Sequence, residues 1–183
     1  LAAKLARSGG GFRAETDEPV MIGQIQLVDL DDPKAARDQI IAERAALIDL
    51  ANEADPVLVK LGGGGKGLTA RILETTKGQM VIVHLLFDVR DAMGANAINT
   101  ACERLAPELE ALTGGHARLR ILSNLADERL ARASVNIPEA ALAFRDFSGE
   151  DVAKGIEEAW AFAAADPHRA TTHNKGIMNG VDA

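Results

Sequence analysis

The chain has 183 residues, 47% of them hydrophobic, which bounds it to one domain or one and a half with enough apolar material for a core. A formal net charge of −7 argues against wrapping a nucleic acid, because phosphates need a basic surface, although a local cationic cluster or a helix N-terminus can still hold an anionic ligand. Cys102 is the single cysteine, so there is no intrachain disulfide; no signal-peptide pattern opens the chain; and the longest apolar run, 80–87, is broken by His84 and too short to span a bilayer. A soluble cytoplasmic protein without nucleic-acid or membrane partners is expected. The chain opens on Leu1 rather than Met, so it is expected to be a portion of a longer polypeptide.

Residues 1–8 read as a helix end stopped by Gly9, Gly10 and Gly11. Residues 21–29 interleave apolar residues with Gln24 and Gln26, as a strand does. Asp32 and Pro33 mark a helix start, and Ala36, Ile40, Ile41, Leu47, Ile48 and Ala51 recur at helical spacing up to Asp55 and Pro56. The glycine run 62–67 reads as a flexible connector. Strands follow at 68–74 and 79–89, joined by a tight turn at 75–78. A helix opening at 91–96 runs to about Leu112 and stops at Gly114 and Gly115. Residues 117–122 alternate Leu119 and Ile121 with Arg118 and Arg120, as a strand with one wet face would.

Strand, helix, strand, strand, helix, strand is the split β-α-β order of ferredoxin-like domains, so the fold class is α+β, with two helices on one face of an antiparallel sheet. The small domain is placed at 19–123. Beyond it, 126–137 is charged and amphipathic. Ser148 and Asp151 have the spacing of a capping box, and the helix behind them carries Val152, Ile156, Ala159, Trp160 and Ala163 on one stripe, ending at Asp166 and Pro167. The polar tail 168–183 cannot form a core alone. Residues 1–18 and 124–183 therefore read as parts of a larger, mainly helical domain into which the small domain is inserted.

Four motifs invite a chemical reading. Residues 62–67 fail the phosphate-loop pattern, because Lys60 stands where the first glycine is needed and Gly67 follows Lys66. Asp91, Ala92, Met93, Gly94, Ala95 and Asn96 lie where a strand passes into a helix, and free N–H groups in a first turn suit a pyrophosphate. On physics alone, Asp91 as an ordinary helix cap is the stronger reading, and no G-x-G-x-x-G is present. Asp55 could accept bonds from ribose hydroxyls, or be an exposed acid at a helix end. In the tail, Arg169 could pair bidentately with a carboxylate and Lys175 could place a charge beside a developing oxyanion, whereas a surface loop would also be polar. His168 and His173 have no acidic ligand between them, so no metal site is expected.

Residues 90–96, Arg-Asp-Ala-Met-Gly-Ala-Asn, resemble the dinucleotide motif of 3-hydroxy-3-methylglutaryl-CoA (HMG-CoA) reductases. Residues 173–180, His-Asn-Lys-Gly-Ile-Met-Asn-Gly, are similar to the segment bearing their active-site lysine, and residues 120–127 match the class II, NAD-linked bacterial form. The resemblance runs through the whole chain, and two long motifs in the right order are specific. It implies an oxidoreductase interconverting mevalonate plus CoA and HMG-CoA through two NAD(H)-dependent hydride transfers. By carry-over, Lys175 would be the catalytic lysine, Arg169 would hold the substrate carboxylate, and Asn124, Thr172 and Asn179 would line the substrate pocket. Asp91, Ala92, Met93, Gly94 and Asn96 would cradle NAD, and Asp55 would read its ribose. The resemblance further implies at least a homodimer, one subunit's small domain serving the other's large domain. It also calls for a glutamate upstream, an aspartate beyond the lysine and a histidine on a C-terminal flap. None is present among these residues, so the chain as given is expected to be inactive by itself. Two readings stand beside this one: a cofactor-binding module without turnover, and a ferredoxin-like interaction domain.

Overall fold

The computed structural model describes residues 2–182; Leu1, counted in the first expected helix, and Ala183 lie outside them. The chain divides into two compact units, one of Leu1–Ala14 with Ala133–Ala183 and one of Glu15–Arg132. It passes from one to the other along β1 (Arg13–Thr16) and β6 (Ala131–Ser134), which pair as a two-stranded sheet.

The continuous unit is built on a four-stranded antiparallel sheet of β2 (Val20–Val28), β3 (Gly64–Thr75), β4 (Gly78–Asp88) and β5 (His116–Leu122), in the order β3-β4-β2-β5. With α2 (Pro33–Ala42), α3 (Arg44–Asn52) and α5 (Ala95–Thr113) as its main crossovers, the element order is the split β-α-β connectivity. The sheet's inward positions alternate as a half-covered sheet requires: Ile25 and Leu27 on β2, and Val81, Val83, Leu85 and Phe87 on β4, are fully buried. Against them pack Ile40 of α2, Leu47 of α3, and Ile98, Cys102, Leu105 and Leu109 of α5. Burial, with Glu103 beside it, pushes the Cys102 thiol up to about 12.

Three local features differ from the sequence expectation. The first long helix is two, broken at Glu43, and a further short helix, α4 (Pro56–Lys60), follows it. The glycine run is no loose connector: from Gly64 it is strand, paired Gly64 to Asp88 and Gly65 to Phe87, with a bulge before Gly67. Side chains are missing there because α3 lies close. A Cβ on Gly64 would stand 2.5 Å from the Asn52 Oδ1, and one on Gly65 would stand 2.8 Å from the Ile48 Cγ2. On β5 the expected alternation is broken by a bulge, the register to β2 shifting between Ile25 and Leu27, so that Arg118 and Leu119 are both exposed. Ile121 pairs with Gln24 on the open face and is 49% exposed, while Arg120 pairs with Ile25 and donates to Glu103 of α5 at 2.8 Å.

The second unit holds α1 (Ala2–Ser8), a 3-10 turn at Glu139–Leu142, α6 (Gly149–Ala165) and α7 (Pro167–Asp182). The capping box is formed: Ser148 Oγ accepts from Asp151 N–H at 3.1 Å, and Asp151 Oδ2 accepts from Ser148 N–H at 3.2 Å. The polar tail, for which a loop was open, is helical. Asp166 ends α6 and its Oδ1 accepts from Arg169 N–H at 2.7 Å, starting α7. Among the described residues of this unit only Ala6 and Ala163 are buried apolar side chains. No described helix is long and apolar enough to cross a membrane.

Candidate functional site

β4 ends on Asp88, a buried charge only 1% exposed. An unpaired carboxylate there would be costly, so its neighbours matter. Oδ1 accepts from Arg90 N–H at 2.9 Å, while Oδ2 faces Lys66 Nζ at 3.4 Å and Arg90 Nη2 at 3.6 Å. Arg90 adopts a left-handed backbone, φ 52°, which a non-glycine residue holds only under constraint. The bond to Asp88 is one constraint; the other is the bond from Arg90 Nη2 to the carbonyl of Gly62. The glycine run thus stands beside the expected dinucleotide loop and helps fix it.

The loop enters α5 through Gly94, not Asp91. Gly94 is the cap residue, at φ 95°, and no side chain bonds the first turn. The first intrahelical bond runs from Ile98 N–H to Gly94 O at 3.0 Å. Asp91 is exposed and caps nothing, so the N–H groups of residues 95–97 are left for another acceptor. A side chain at 94 is doubly excluded. Its φ is positive, and a Cβ would stand 2.5 Å from Met21 Sδ and 2.7 Å from Val89 Cγ2.

Beside the loop lies a cleft of about 430 Å³ lined by Thr16, Asp17, Arg90, Asp91, Arg129 and Leu130, among others. Arg129 reaches from it to the loop carbonyls, donating to Ala92 O and Met93 O at 3.4 Å each. Asp17 receives Arg132 at 2.5 Å, and this hydrogen bond, with that from Leu130 N–H, holds its carboxyl below the usual carboxylate range.

Of the expected cofactor residues, Asp91, Ala92, Met93, Gly94 and Asn96 form one continuous turn, and all but Gly94 are exposed. Asp55 does not close the first helix as the sequence suggested. It caps α4, its Oδ1 accepting from Leu58 N–H at 2.9 Å, which leaves Oδ2 for a ligand. Arg169, Thr172, Lys175 and Asn179 share α7, and at helical spacing they fall within an arc of about 120°. Lys175 Nζ donates to Asn179 Oδ1. Asn124 is exposed and belongs to the other compact unit.

Asp88 and Arg129 were not singled out by sequence reasoning, and Arg90 entered only as the first residue of the 90–96 motif, without a role. Asp88 carried a signal: an acid closing an otherwise apolar buried strand needs a partner. Arg129 carried none, because its contacts are to residues more than thirty positions away.

This geometry sits on a chain whose likenesses are consistent with one another. The family model for hydroxymethylglutaryl-coenzyme A reductase matches residues 1–183. The 3-hydroxy-3-methylglutaryl-coenzyme A reductase of Archaeoglobus fulgidus is 52% identical over 182 residues, covering 100% of this chain and 41% of its own length. A probable enzyme of the same kind from Borreliella burgdorferi is 32% identical over 130 residues, 69% of this chain and 30% of its own. A structure of the class II enzyme from Streptococcus pneumoniae, bound to NADPH in open conformations, superposes with a TM-score of 0.93 at 41% identity, covering 100% of this chain and 44% of that one. The chain therefore spans less than half the length of the relatives it matches. The uncapped turn at 91–96 and the lysine helix lie on a polypeptide that belongs to the hydroxymethylglutaryl-coenzyme A reductase family.

Proposed function

We propose that the protein interconverts mevalonate plus CoA and HMG-CoA by two nicotinamide-dependent hydride transfers, this chain supplying the ferredoxin-like dinucleotide unit and the lysine-bearing helix of the larger substrate domain. The carrying observation is the start of α5, where the cap has no side-chain acceptor and the preceding loop is anchored by Asp88 and Arg129. Such a turn offers converging N–H donors and the positive end of a 19-residue helix, the donor set a pyrophosphate requires. Asp91, Ala92, Met93, Gly94 and Asn96 would hold the dinucleotide, which supplies the hydride chemistry when bound.

NAD is proposed over NADP. The free oxygen of Asp55 can accept from a ribose hydroxyl and would oppose an added phosphate. The likeness to an enzyme whose structure holds NADPH makes this preference the finer, separately testable part. On α7, Arg169 would pair with the substrate carboxylate through its forked donors, and Lys175 would hold a cation beside the carbonyl oxygen that gains charge. Asn124, Thr172 and Asn179 would complete the pocket by hydrogen bonding. A homodimer or higher homo-oligomer in the cytoplasm is proposed as the working form.

The test is turnover of mevalonate with NAD and CoA by the full-length protein, followed at the nicotinamide absorbance. Cofactor reduction that requires both mevalonate and CoA is expected. Binding of NAD with no turnover would leave only the cofactor-binding module.

A further inference from the structure

We infer that Arg129 is a positioning residue for the cofactor loop: it pins the carbonyl groups of Ala92 and Met93 so that the amide groups behind Gly94 stay turned toward the ligand. The inference rests on the assignment of residues 91–96 to the dinucleotide. An anion site at a helix start is weakened by any carbonyl oxygen that swings toward the anion. The two carbonyls able to do so are those of Ala92 and Met93, just ahead of the cap. Arg129 Nη2 and Nη1 hold one each, at 3.4 Å. A guanidinium suits this role because its forked donors reach two acceptors at once, and three of its five N–H groups remain for the cleft it lines with Arg90 and Asp91.

The segment that presents Arg129 is itself fixed. Arg129 N–H closes a turn onto Ala126 O at 3.2 Å. The next residue, Leu130, is tied twice to Asp17: Leu130 N–H to Asp17 Oδ2 at 3.1 Å, and Asp17 N–H to Leu130 O at 2.9 Å. Asp17 is in turn occupied by Arg132, at 2.5 Å, so its charge is not spent on Arg129. Asn124 stands five residues before Arg129 on the same stretch. The arginine therefore joins the loop proposed to hold the cofactor to the segment proposed to reach the substrate.

The test compares wild type, Arg129→Met and Arg129→Lys in the full-length protein, with cofactor binding followed by nicotinamide fluorescence and KM measured separately for cofactor and HMG-CoA. Methionine keeps most of the apolar stem and removes both bonds. Loss of charge-assisted bonds to the loop should weaken cofactor binding by roughly ten-fold or more, with the KM for HMG-CoA unchanged. Lysine keeps the charge but cannot fork, so it should recover only part of the loss. Cofactor affinity in Arg129→Met equal to that of a wild type that binds would overturn the inference. So would an equal rise in both KM values, or full recovery by lysine, since the first marks general damage and the second a charge without geometry. A wild type that binds neither NAD(H) nor NADP(H) would instead overturn the cofactor assignment itself.

Discussion

Lys175 lies on an exposed face of α7 with its ammonium bonded to Asn179 one turn on. A fixed cation beside a carbonyl stabilises the transition state more than the ground state. Lys175→Ala in the full-length protein is therefore expected to lower turnover by ~10²–10³ in both directions, with cofactor binding and thermal stability little changed. Wild-type turnover in that variant would remove Lys175 from the mechanism. Asp55 has one duty that its position in the sequence concealed, the cap of α4, beside the ribose contact proposed for it. One oxygen caps α4, and only the other can face a ribose. A phosphate a few ångströms from that charge would cost on the order of 1–4 kcal/mol, so NAD should bind more tightly than NADP, and Asp55→Ala should narrow the gap. Because the same change removes a helix cap, it should also destabilise the unit by about 1 kcal/mol. Isothermal titration with both cofactors, beside a melting curve, separates the two effects; equal wild-type affinities would count against Asp55. A candidate site is legible where its residues are contiguous, as at 90–96, which lead together into α5, and illegible where side chains converge from afar, as Arg129 and Asp88 do.

At the scale of elements, alternation and caps were readable because their physics is local. Asp32 caps α2 through Lys34 N and Ala35 N at 3.0 Å each, and the Ser148 box opens α6, both as their spacing implies. Three elements escaped. The tail 168–183 was not read as a helix because its two glycines and polar residues weaken propensity, and α7 starts on the cap bond of Asp166. The glycine run passed for a connector because close approach of α3 leaves no composition other than glycine to signal a strand. β5 escaped because a bulge against β2 breaks its period and because alternation gives no sign: Leu119 and Ile121 face the open side, and which side is dry depends on whether a helix covers it. Gly94 is the position where element and site meet. Gly94→Ala adds a Cβ against Met21 and Val89 in a left-handed backbone, two costs that together amount to about 2–5 kcal/mol. A lowered unfolding midpoint with loss of cofactor binding is expected. A variant with the wild-type midpoint would show that the turn into α5 is not held as described.

The unit of Leu1–Ala14 and Ala133–Ala183 presents a problem that only the whole molecule resolves. Its helices α6 and α7 expose Ile156 at 56% and Trp160 at 65% on one, and Ile177 at 54%, Met178 at 52% and Val181 at 71% on the other. Scattered apolar residues on a surface need no explanation, but stripes on two adjacent helices do. The stripe on α6 was plain from the sequence; what covers it was not, because helical periodicity names a face and never its partner. The curated Archaeoglobus relative is matched over only 41% of its length. We predict that in the full-length protein this face is covered. Trp160 is the single tryptophan among these 183 residues and reports directly on it. In this chain alone it should emit as a wet indole and be quenched readily by acrylamide. With any other tryptophan of the full-length protein replaced by phenylalanine, Trp160 should emit to the blue and resist quenching. Dilution distinguishes the source of the cover. Burial by the same polypeptide is independent of concentration, whereas burial by a second copy is lost below the dissociation constant of the oligomer, in step with the molar mass from light scattering. A Trp160 as open to acrylamide in the full-length protein as in this chain would rule out a covered α6 and leave its stripe as bare surface.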